Sequence, residues 1–334
     1  MMTLVGRSAG FSGFSIMENV VVQTQRIGII GRGIIGTSWA LVFARAGFHV
    51  RIWSRGKAKG SATLDSIAAS IQSLAGTGLQ GDADTIRRVS VHERLEDTLC
   101  DVDFVQESVP EDIAVKHDIL SRIEAAVPID AIIASSTSGI MPSRLAEALS
   151  RPEQFLVVHP LTPPHLLPIT ELCVAPQTSA ATLETITDLL LKVGQHPVHL
   201  KAEIPGFALN RILGAMMNEC FALIRDGVLS AEDVDPLLTD GFGLRWGIIG
   251  PLAAMDLNAP GGIGDYLRRY GSIYDVVARS RGAEPVLNEA LIGSIAAALR
   301  DRFSNCDSAQ RIVRRDRGIA ELRAARARIV EGSG

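Results

Sequence analysis

The sequence predicts an α/β protein in which a doubly wound, mainly parallel sheet is followed by an all-α C-terminal domain. Short apolar segments that are typical of buried strands alternate with helical patterns from about residue 26 to residue 200. Such alternation is characteristic of a parallel sheet covered by helices. Only helical patterns follow Pro205. We therefore predict a flexible N-terminal extension over residues 1–24, an α/β domain over 25–203 and a helical domain over 204–334.

The first strand, at residues 26–30, leads into the most informative motif of the chain. Residues 31–36 have the sequence GRGIIG, which fits G-x-G-x-x-G. In this motif the first glycine permits a tight turn, the second lets backbone amides approach a pyrophosphate, and the third allows the helix to pack closely on the strand. A purely structural glycine turn is the alternative, but the flanking strand and helix favour dinucleotide binding and a Rossmann-type sheet. The predicted cofactor contacts in this motif are Gly31, Gly33, Ile34, Ile35 and Gly36.

The end of the second strand, at residues 48–53, departs from the usual pattern of such sheets. An Asp or Glu commonly binds the ribose 2′-OH there, but this chain has Ser54 followed by Arg55. The serine removes the negative charge, and Arg55 with Lys57 supplies positive charge where a 2′-phosphate would lie. A solvated Arg55 without a ligand is the alternative. We therefore predict NADP or NAD as the cofactor, with NADP slightly favoured by Ser54 and Arg55.

The later strands of the α/β domain end in polar residues. Strands are predicted at about residues 103–107, 131–134 and 155–158, and a further strand follows at 171–174. Ligands of doubly wound sheets bind beyond the carboxyl ends of the strands. Three polar clusters fall at such ends, and they are Glu107-Ser108, Ser135–Ser138 and His159.

His159 and Glu171 are candidates for acid/base chemistry because a proline-rich excursion separates them and can bring them together. A carboxylate beside an imidazole fixes its tautomer and stabilises the imidazolium, as a general acid/base requires. Ser138 ends one strand and Asn210 opens the helical domain, so both are candidates for contact with a substrate oxygen. The structural alternatives are a histidine that only packs in its loop, a serine that caps a helix and an amide that packs between domains.

Composition excludes several classes of protein. The 334 residues carry a formal net charge of −4, which argues against nucleic acid as the main partner. No apolar run reaches the roughly 18 residues of a membrane helix. The cysteines form no C-x-x-C pair, as expected for a cytoplasmic protein without disulfides or a zinc site, and they are Cys100, Cys173, Cys220 and Cys306. We expect a cytoplasmic protein that binds a small molecule, and no metal, membrane or nucleic acid.

Over about residues 25–330 the chain resembles the L-3-hydroxyacyl-CoA dehydrogenase superfamily. The matched pieces are GRGIIG, QESVPE at 106–111, SSTS at 135–138, the His159-Pro160 step with Pro163, Glu171 and PGFALNR at 205–211. The resemblance implies that four residues carry the reaction: His159 as the general acid/base, Glu171 as its partner, and Ser138 and Asn210 as residues that bond the reacting oxygen. It also implies that Glu107 and Lys116 line the cofactor.

A second set of motifs resembles the branch of that superfamily that contains lambda-crystallin, L-gulonate 3-dehydrogenase and L-carnitine dehydrogenase. The pieces are GFGLRW at 241–246, GP at 250–251 and LNA at 257–259. The resemblance implies hydride transfer between carbon 3 of a small free 3-hydroxy acid, such as L-gulonate, and a nicotinamide cofactor. The alternatives within the class are a 3-hydroxyacyl-CoA dehydrogenase and an L-carnitine dehydrogenase. A non-catalytic dinucleotide-binding structural protein is the alternative from another class.

Arg245, within that second set of motifs, is predicted to bind the substrate carboxylate, because a guanidinium offers it two parallel hydrogen bonds. We predict that Trp246 also contacts the substrate. An intersubunit salt bridge is the alternative role for Arg245. This region lies far in sequence from the glycine motif, so we expect a second subunit to complete the site in a homodimer built through the helical domain.

Overall fold

The structure is a computed structural model that describes residues 26–54, 56–280, 287–303 and 308–331. The predicted N-terminal extension over residues 1–24 and the cofactor candidate Arg55 lie outside the described residues, as does the side chain of Lys57.

In the described part of the α/β domain, eight strands form a single sheet. They are β1 (Arg26–Ile30), β2 (His49–Trp53), β3 (Val89–His92), β4 (Phe104–Glu107), β5 (Ile132–Ser135), β6 (Phe155–Pro160), β7 (Ile169–Val174) and β8 (His196–His199). The order across the sheet is β3-β2-β1-β4-β5-β6-β7-β8. Neighbouring strands are parallel except for β6 with β7. The predicted doubly wound, mainly parallel sheet is confirmed.

Helices cover both faces of this sheet. They are α1 (Ile34–Arg45), α2 (Lys57–Ser73), α3 (Leu95–Leu99), α4 (Ile113–Ala126), α5 (Pro142–Ala146) and α6 (Ala180–Lys192). Successive residues of a strand point to opposite faces, so Ile29 of β1 packs with α1 and α6, whereas Ile30 packs with α3 and α4. The chain leaves β1 for β2 on one side and returns to β4 on the other side. This arrangement creates a switch point, where doubly wound sheets bind ligands.

The rest of the described chain is helical, as predicted. The helices are α7 (Phe207–Arg225), α8 (Ala231–Pro236), α9 (Leu244–Trp246), α10 (Pro251–Leu257), α11 (Gly262–Ser280), α12 (Glu289–Phe303) and α13 (Ser308–Glu331). A π-helical segment, Leu237–Gly243, joins α8 to α9. The sequence suggests one helix over 251–270, but Pro260 and two glycines interrupt it, and Gly262 begins α11 with a φ of 71°.

α7 is long and apolar enough, by length and composition alone, to cross a membrane. This finding differs from our expectation that no apolar segment has that length. The difference arises because polar residues such as Asn210 and Glu219 interrupt the apolar run, while the mean hydropathy of the whole helix stays as high as that of a membrane span. Core helices of proteins without membrane spans have the same length and composition, so this finding alone does not show that α7 crosses a membrane.

The loop between β6 and β7 is held between the two domains. Its residue Leu166 packs in an apolar cluster that includes Ala320 of α13, and Arg323 donates to the carbonyl oxygen of Leu166 at 3.1 Å. His165 in the same loop is 6% exposed, and its Nδ1 lies 3.0 Å from Oγ of Ser38. Burial, partly offset by the nearby carboxylate of Asp316, lowers the pKa of His165 to about 4.

Candidate active site

The turn between β1 and α1 has the geometry that its glycines predict. Gly31 has a φ of 119°, and a Cβ there would collide with the carbonyl oxygen of Ser108 after β4. A Cβ on Gly36 would collide with the carbonyl oxygen of Gly31, whereas Gly33 has open space beside it. The turn therefore leaves room for a phosphate beside Gly33 and the N-terminus of α1, where backbone amides and the helix dipole favour negative charge.

A cavity of about 550 Å³ opens at this turn. Its volume is typical of sites for small molecules and cofactors. The lining residues are Gly31, Arg32, Gly33, Trp53, Ser54, Lys59, Ser108, Val109 and Pro110. At the start of α1, Ile34 is 69% exposed, whereas Ile35 is half-buried against the apolar core. The cavity is thus continuous with the glycine turn and carries the positive charges of Arg32 and Lys59.

Ser54, which lines this cavity at the end of β2, is the feature that best fits a ligand. The residue is 2% exposed, and its Oγ has no hydrogen-bond partner within the described residues. A buried hydroxyl without a partner costs about 1–3 kcal/mol, and a ribose or phosphate oxygen in the cavity would remove that cost. The residues at this cavity therefore fit the adenosine part of a dinucleotide.

His159 and Glu171 form a buried pair at the sheet edge that the polar clusters mark. The antiparallel register of β6 and β7 places them directly opposite each other, and His159 Nδ1 lies 2.7 Å from Glu171 Oε2. Their side chains are 8% and 2% exposed. Because the carboxylate accepts the Nδ1 proton, it assigns the tautomer in which Nε2 carries the lone pair. The predicted proline-rich excursion does bring the two residues together.

The other oxygen of Glu171 connects the pair to the helical domain. Oε1 accepts hydrogen bonds from the backbone amides of Ala208 and Leu209, each at 2.8 Å. These amides belong to the first turn of α7, where they have no partner within the helix. The amide donors and the positive end of the helix dipole thus both face this carboxylate. Glu171 therefore orients the imidazole and caps α7 at the same time.

Ser138 and Asn210 are also brought together. The Asn210 side-chain nitrogen donates to the carbonyl oxygen of Ser138 at 2.7 Å, which links the loop after β5 to the start of α7. Glu111 supports the Ser138 turn, because its Oε1 accepts the amides of Ser138 at 2.9 Å and Gly139 at 3.1 Å. In the sequence, the signal for this role of Glu111 is its position as a second carboxylate shortly after β4.

Glu107 and Lys116 form a buried ion pair, with Nζ 2.8 Å and 3.0 Å from the two carboxylate oxygens. Their side chains are 0% and 1% exposed, and Ser135 Oγ also donates to Glu107. The expectation that these two residues line the cofactor stays a prediction. Each satisfies the charge of the other inside the domain, and Lys116 Nζ also lies 3.6 Å from Glu111 Oε2 and 3.3 Å from the carbonyl oxygen of Val109, a residue that lines the cavity.

Arg245 and Trp246 lie apart from these residues, on α9. Phe242 and Trp246 stack with ring centroids 4.9 Å apart, and the Arg245 guanidinium lies 5.9 Å from the Phe242 centroid. None of the contacts that Arg245 and Trp246 make within the described residues joins them to His159. The described residues also contain no group of three or more His, Cys, Asp or Glu that could hold a metal ion.

A glycine-turn cavity at the switch point and a buried His–Glu pair at the domain junction define an oxidoreductase with a dinucleotide-binding domain. Comparison with known families agrees. The family model described as the 3-hydroxyacyl-CoA dehydrogenase NAD binding domain matches residues 26–203, and the model of the C-terminal domain of the same enzymes matches residues 206–290. The chain belongs to the 3-hydroxyacyl-CoA dehydrogenase family, which confirms the resemblance seen in the sequence.

Individual relatives fall in the branch that the second set of motifs indicates. Lambda-crystallin of Oryctolagus cuniculus is 34% identical over 275 residues, which are 81% of this chain and 86% of the relative. An L-carnitine dehydrogenase of Streptomyces coelicolor is 31% identical over 313 residues, or 93% and 96% of the two chains. Among solved structures, an NAD+-dependent dismutase, 5-formyl-3-hydroxy-2-methylpyridine 4-carboxylic acid 5-dehydrogenase, is similar with a TM-score of 0.78 and 26% identity, covering 93% of this chain and 99% of that chain.

Proposed function

We propose that this protein catalyses reversible hydride transfer between carbon 3 of a small free 3-hydroxy acid and a nicotinamide cofactor. The observation that carries the proposal is the buried His159–Glu171 pair at the junction of the two domains. An alcohol that loses a hydride must also lose its hydroxyl proton, and a neutral imidazole held in one tautomer is suited to accept it.

Each residue of the proposed active site has a separate role in the reaction. In the oxidation direction, Nε2 of His159 takes the hydroxyl proton while carbon 3 loses its hydride, and the ionised Glu171 stabilises the imidazolium. The Asn210 amide has two hydrogens, and one is bonded to the Ser138 carbonyl, so the second is available to the developing carbonyl oxygen together with the Ser138 hydroxyl. A bound nicotinamide ring supplies the hydride acceptor. In the reverse direction His159 returns the proton.

The surroundings of the cavity favour a free acid over a CoA ester. CoA carries several phosphates, and proteins commonly hold phosphates with arginine and lysine. α2 is a single helix, and its only cationic residues are Lys57 and Lys59. Lys59 already faces the cofactor cavity. This helix therefore offers little charge to a CoA molecule beside a bound cofactor.

A screen of the purified protein tests this proposal. Free 3-hydroxy acids and the CoA esters of the same acids are each assayed with NAD and NADP. We expect a free acid to give the higher kcat/KM. Turnover of CoA esters alone would contradict the proposed substrate class. Tight cofactor binding with no turnover of any hydroxy substrate would indicate a non-catalytic dinucleotide-binding protein.

We further propose that Arg245 binds the carboxylate of this acid. The cluster fits a carboxylate better than it fits the quaternary ammonium of carnitine, which is held by open aromatic faces or carboxylates. Here the Phe242 and Trp246 rings face each other, and the guanidinium of Arg245 lies near the Phe242 ring. A positive charge at this position repels a quaternary ammonium and attracts a carboxylate.

A homodimer built through the helical domain is the proposed route by which Arg245 joins an active site. Large apolar side chains are exposed on this domain, and they include Ile212, Val228, Leu244, Leu252, Leu257, Ile273, Val276 and Leu322. Apolar surface of this extent is typical of an interface rather than of a free monomer. We expect a dimer by analytical ultracentrifugation, weakened in Ile273→Asp but not in Ile129→Asp, which alters an exposed apolar residue of the other domain. A fully active monomer would contradict the proposal.

We also propose that NADP is the preferred cofactor. The support is the buried, unpartnered hydroxyl of Ser54 beside Arg32 and Lys59 in one cavity. A 2′-phosphate can accept a hydrogen bond from that hydroxyl and is attracted by both cations. The 2′-OH of NAD finds no carboxylate at the Ser54 position. Arg55, which lies outside the described residues, adds a further positive charge in the sequence.

A further inference from the structure

Phe207, the first residue of α7, has a backbone conformation that is unusual for its type. Its φ is 50°, and it is the one described residue other than glycine with a positive φ. Gly206 before it is also left-handed, with a φ of 79°. The left-handed region is unfavourable for bulky L residues. Such outliers cluster at sites where the surrounding structure imposes the conformation for a functional reason.

The side chain of Phe207 contacts the candidate base. The residue is 0% exposed, and its ring centroid lies 5.3 Å from that of His159, with an interplanar angle of 49°. The ring also belongs to the apolar cluster formed by β5, β6 and α4. An aromatic ring at this distance limits the rotation of the imidazole and keeps water from the side of the His159–Glu171 hydrogen bond.

The backbone of Phe207 acts on the other member of the pair. The two residues that follow it, Ala208 and Leu209, donate their amides to Glu171 Oε1. The two left-handed residues reverse the chain between the linker and α7, which turns these amides toward the sheet. A glycine would adopt this conformation at lower cost, so the presence of a phenylalanine indicates that its ring contributes something a glycine lacks.

We propose that Phe207 is a positioning residue, which fixes the imidazole of His159 through its ring and the carboxylate of Glu171 through its backbone turn. This inference rests on the proposed acid/base role of His159. It also makes the packing of the helical domain on the sheet a condition for an ordered catalytic pair, since Phe207 opens the helical domain and lies in the core of the α/β domain.

The test compares the same substitution at two buried positions. Phe207→Leu removes the ring beside His159, and Phe155→Leu removes a ring of the same apolar cluster from a fully buried position at the start of β6. We expect Phe207→Leu to lower kcat by about 10- to 100-fold, the size of effect that follows from misplacing a catalytic group, with the KM for the cofactor near the wild-type value. Phe155→Leu is expected to lower stability while kcat stays close to wild type.

A spectroscopic measurement separates positioning from general stability. The proton shared by His159 and Glu171 is expected to give a downfield ¹H resonance in histidine-labelled protein, absent from His159→Gln. This resonance should be lost in Phe207→Leu and kept in Phe155→Leu. Equal kcat values and equal spectra for the two leucine variants would overturn the inference, and they would leave the proposed function intact if His159→Gln is inactive. If Phe207→Leu does not fold, Phe207→Met provides the same comparison, because it keeps apolar volume without a ring.

A second pair of variants tests the backbone part of the inference. Phe207→Gly and Phe207→Ala both remove the ring, but only glycine adopts the left-handed conformation freely. We expect both to lose kcat and the Gly variant to have the higher Tm. Wild-type kcat in Phe207→Gly would show that the ring has no positioning role. A higher Tm in the Ala variant would contradict the left-handed backbone.

Discussion

Replacement of Glu171 by Gln separates the two tasks of this carboxylate. In the wild type it accepts hydrogen bonds from His159 Nδ1 at 2.7 Å and from the amides of Ala208 and Leu209 at 2.8 Å. A Gln side chain has one oxygen, and its NH₂ group only donates. If the oxygen stays with the two amides, the NH₂ group faces Nδ1 and favours the tautomer with its proton on Nε2. That tautomer cannot accept the hydroxyl proton.

The expected losses are different for activity and stability. The corresponding tautomer error in a Ser-His-Asp triad costs on the order of 10⁴ in kcat, so we expect Glu171→Gln to lose about 10³- to 10⁴-fold. The free energy of unfolding should fall by about 1–2 kcal/mol, because an anion leaves the N-terminus of α7 in a partly buried setting. We therefore expect the Glu171→Gln variant to stay folded and to keep an ordered cofactor site.

Initial rates measured from the absorbance of the reduced cofactor over a range of pH, together with urea unfolding, check this prediction. The loss of kcat should persist at every pH, since raising the pH does not restore the correct tautomer. Glu184→Gln, which changes an exposed carboxylate on α6, is the matched control and should behave as wild type. A kcat near the wild-type value in Glu171→Gln would refute the assignment of Glu171 as the partner of His159.

Four further outcomes are expected. His159→Gln should lower the oxidation kcat by about 10²- to 10⁴-fold, and near wild-type turnover would show that another group takes the proton. Arg245→Lys should raise the KM for a free acid more than for its methyl ester, because a lysine cannot make the bidentate contact; equal effects on both would exclude that contact. Ser54→Asp should abolish or reverse the preference for NADP, measured as the ratio of kcat/KM for NADP to that for NAD. A wild type that prefers NAD by about ten-fold, which corresponds to 1.4 kcal/mol, would contradict the 2′-phosphate site. Because the pKa of His165 is lowered from 6.5 to about 4 in the folded protein, the native state binds fewer protons than the unfolded state between these pH values. The contribution of His165 to the free energy of unfolding should therefore be complete above about pH 6.5 and fall by up to roughly 3 kcal/mol as the pH drops toward 4. His165→Asn should flatten this part of the pH profile of unfolding.

Local sequence signals were sufficient for the sheet and the glycine turn. The strands are short apolar runs, and the spacing of Gly31, Gly33 and Gly36 follows from steric demands within one turn. The pairing of His159 with Glu171 was also accessible, because the two residues are joined by a short excursion between adjacent strands. Signals of this kind involve residues that are close in the chain, so no knowledge of the overall packing is needed to use them.

Contacts between segments that lie far apart in the sequence could not be predicted from such local patterns. The amides that hold Glu171 lie 37 and 38 residues further along the chain, and the left-handed conformation of Phe207 depends on the packing of two domains. The ion pair of Glu107 with Lys116 also depends on packing. A charged pair in a motif suggests ligand contact, and only the packing of α4 on the sheet shows that the two charges satisfy each other.

The measurement that tests the central claim most directly uses a free 3-hydroxy acid that carries deuterium at carbon 3. The acid is oxidised by the purified protein, and the reduced cofactor is analysed by mass spectrometry. The proposed reaction predicts that the deuterium from carbon 3 appears in the nicotinamide ring of the reduced cofactor, at a rate that falls sharply in His159→Gln. Reduced cofactor without deuterium, or labelling that is unchanged in His159→Gln, would contradict the proposed hydride transfer from carbon 3 with His159 as the base.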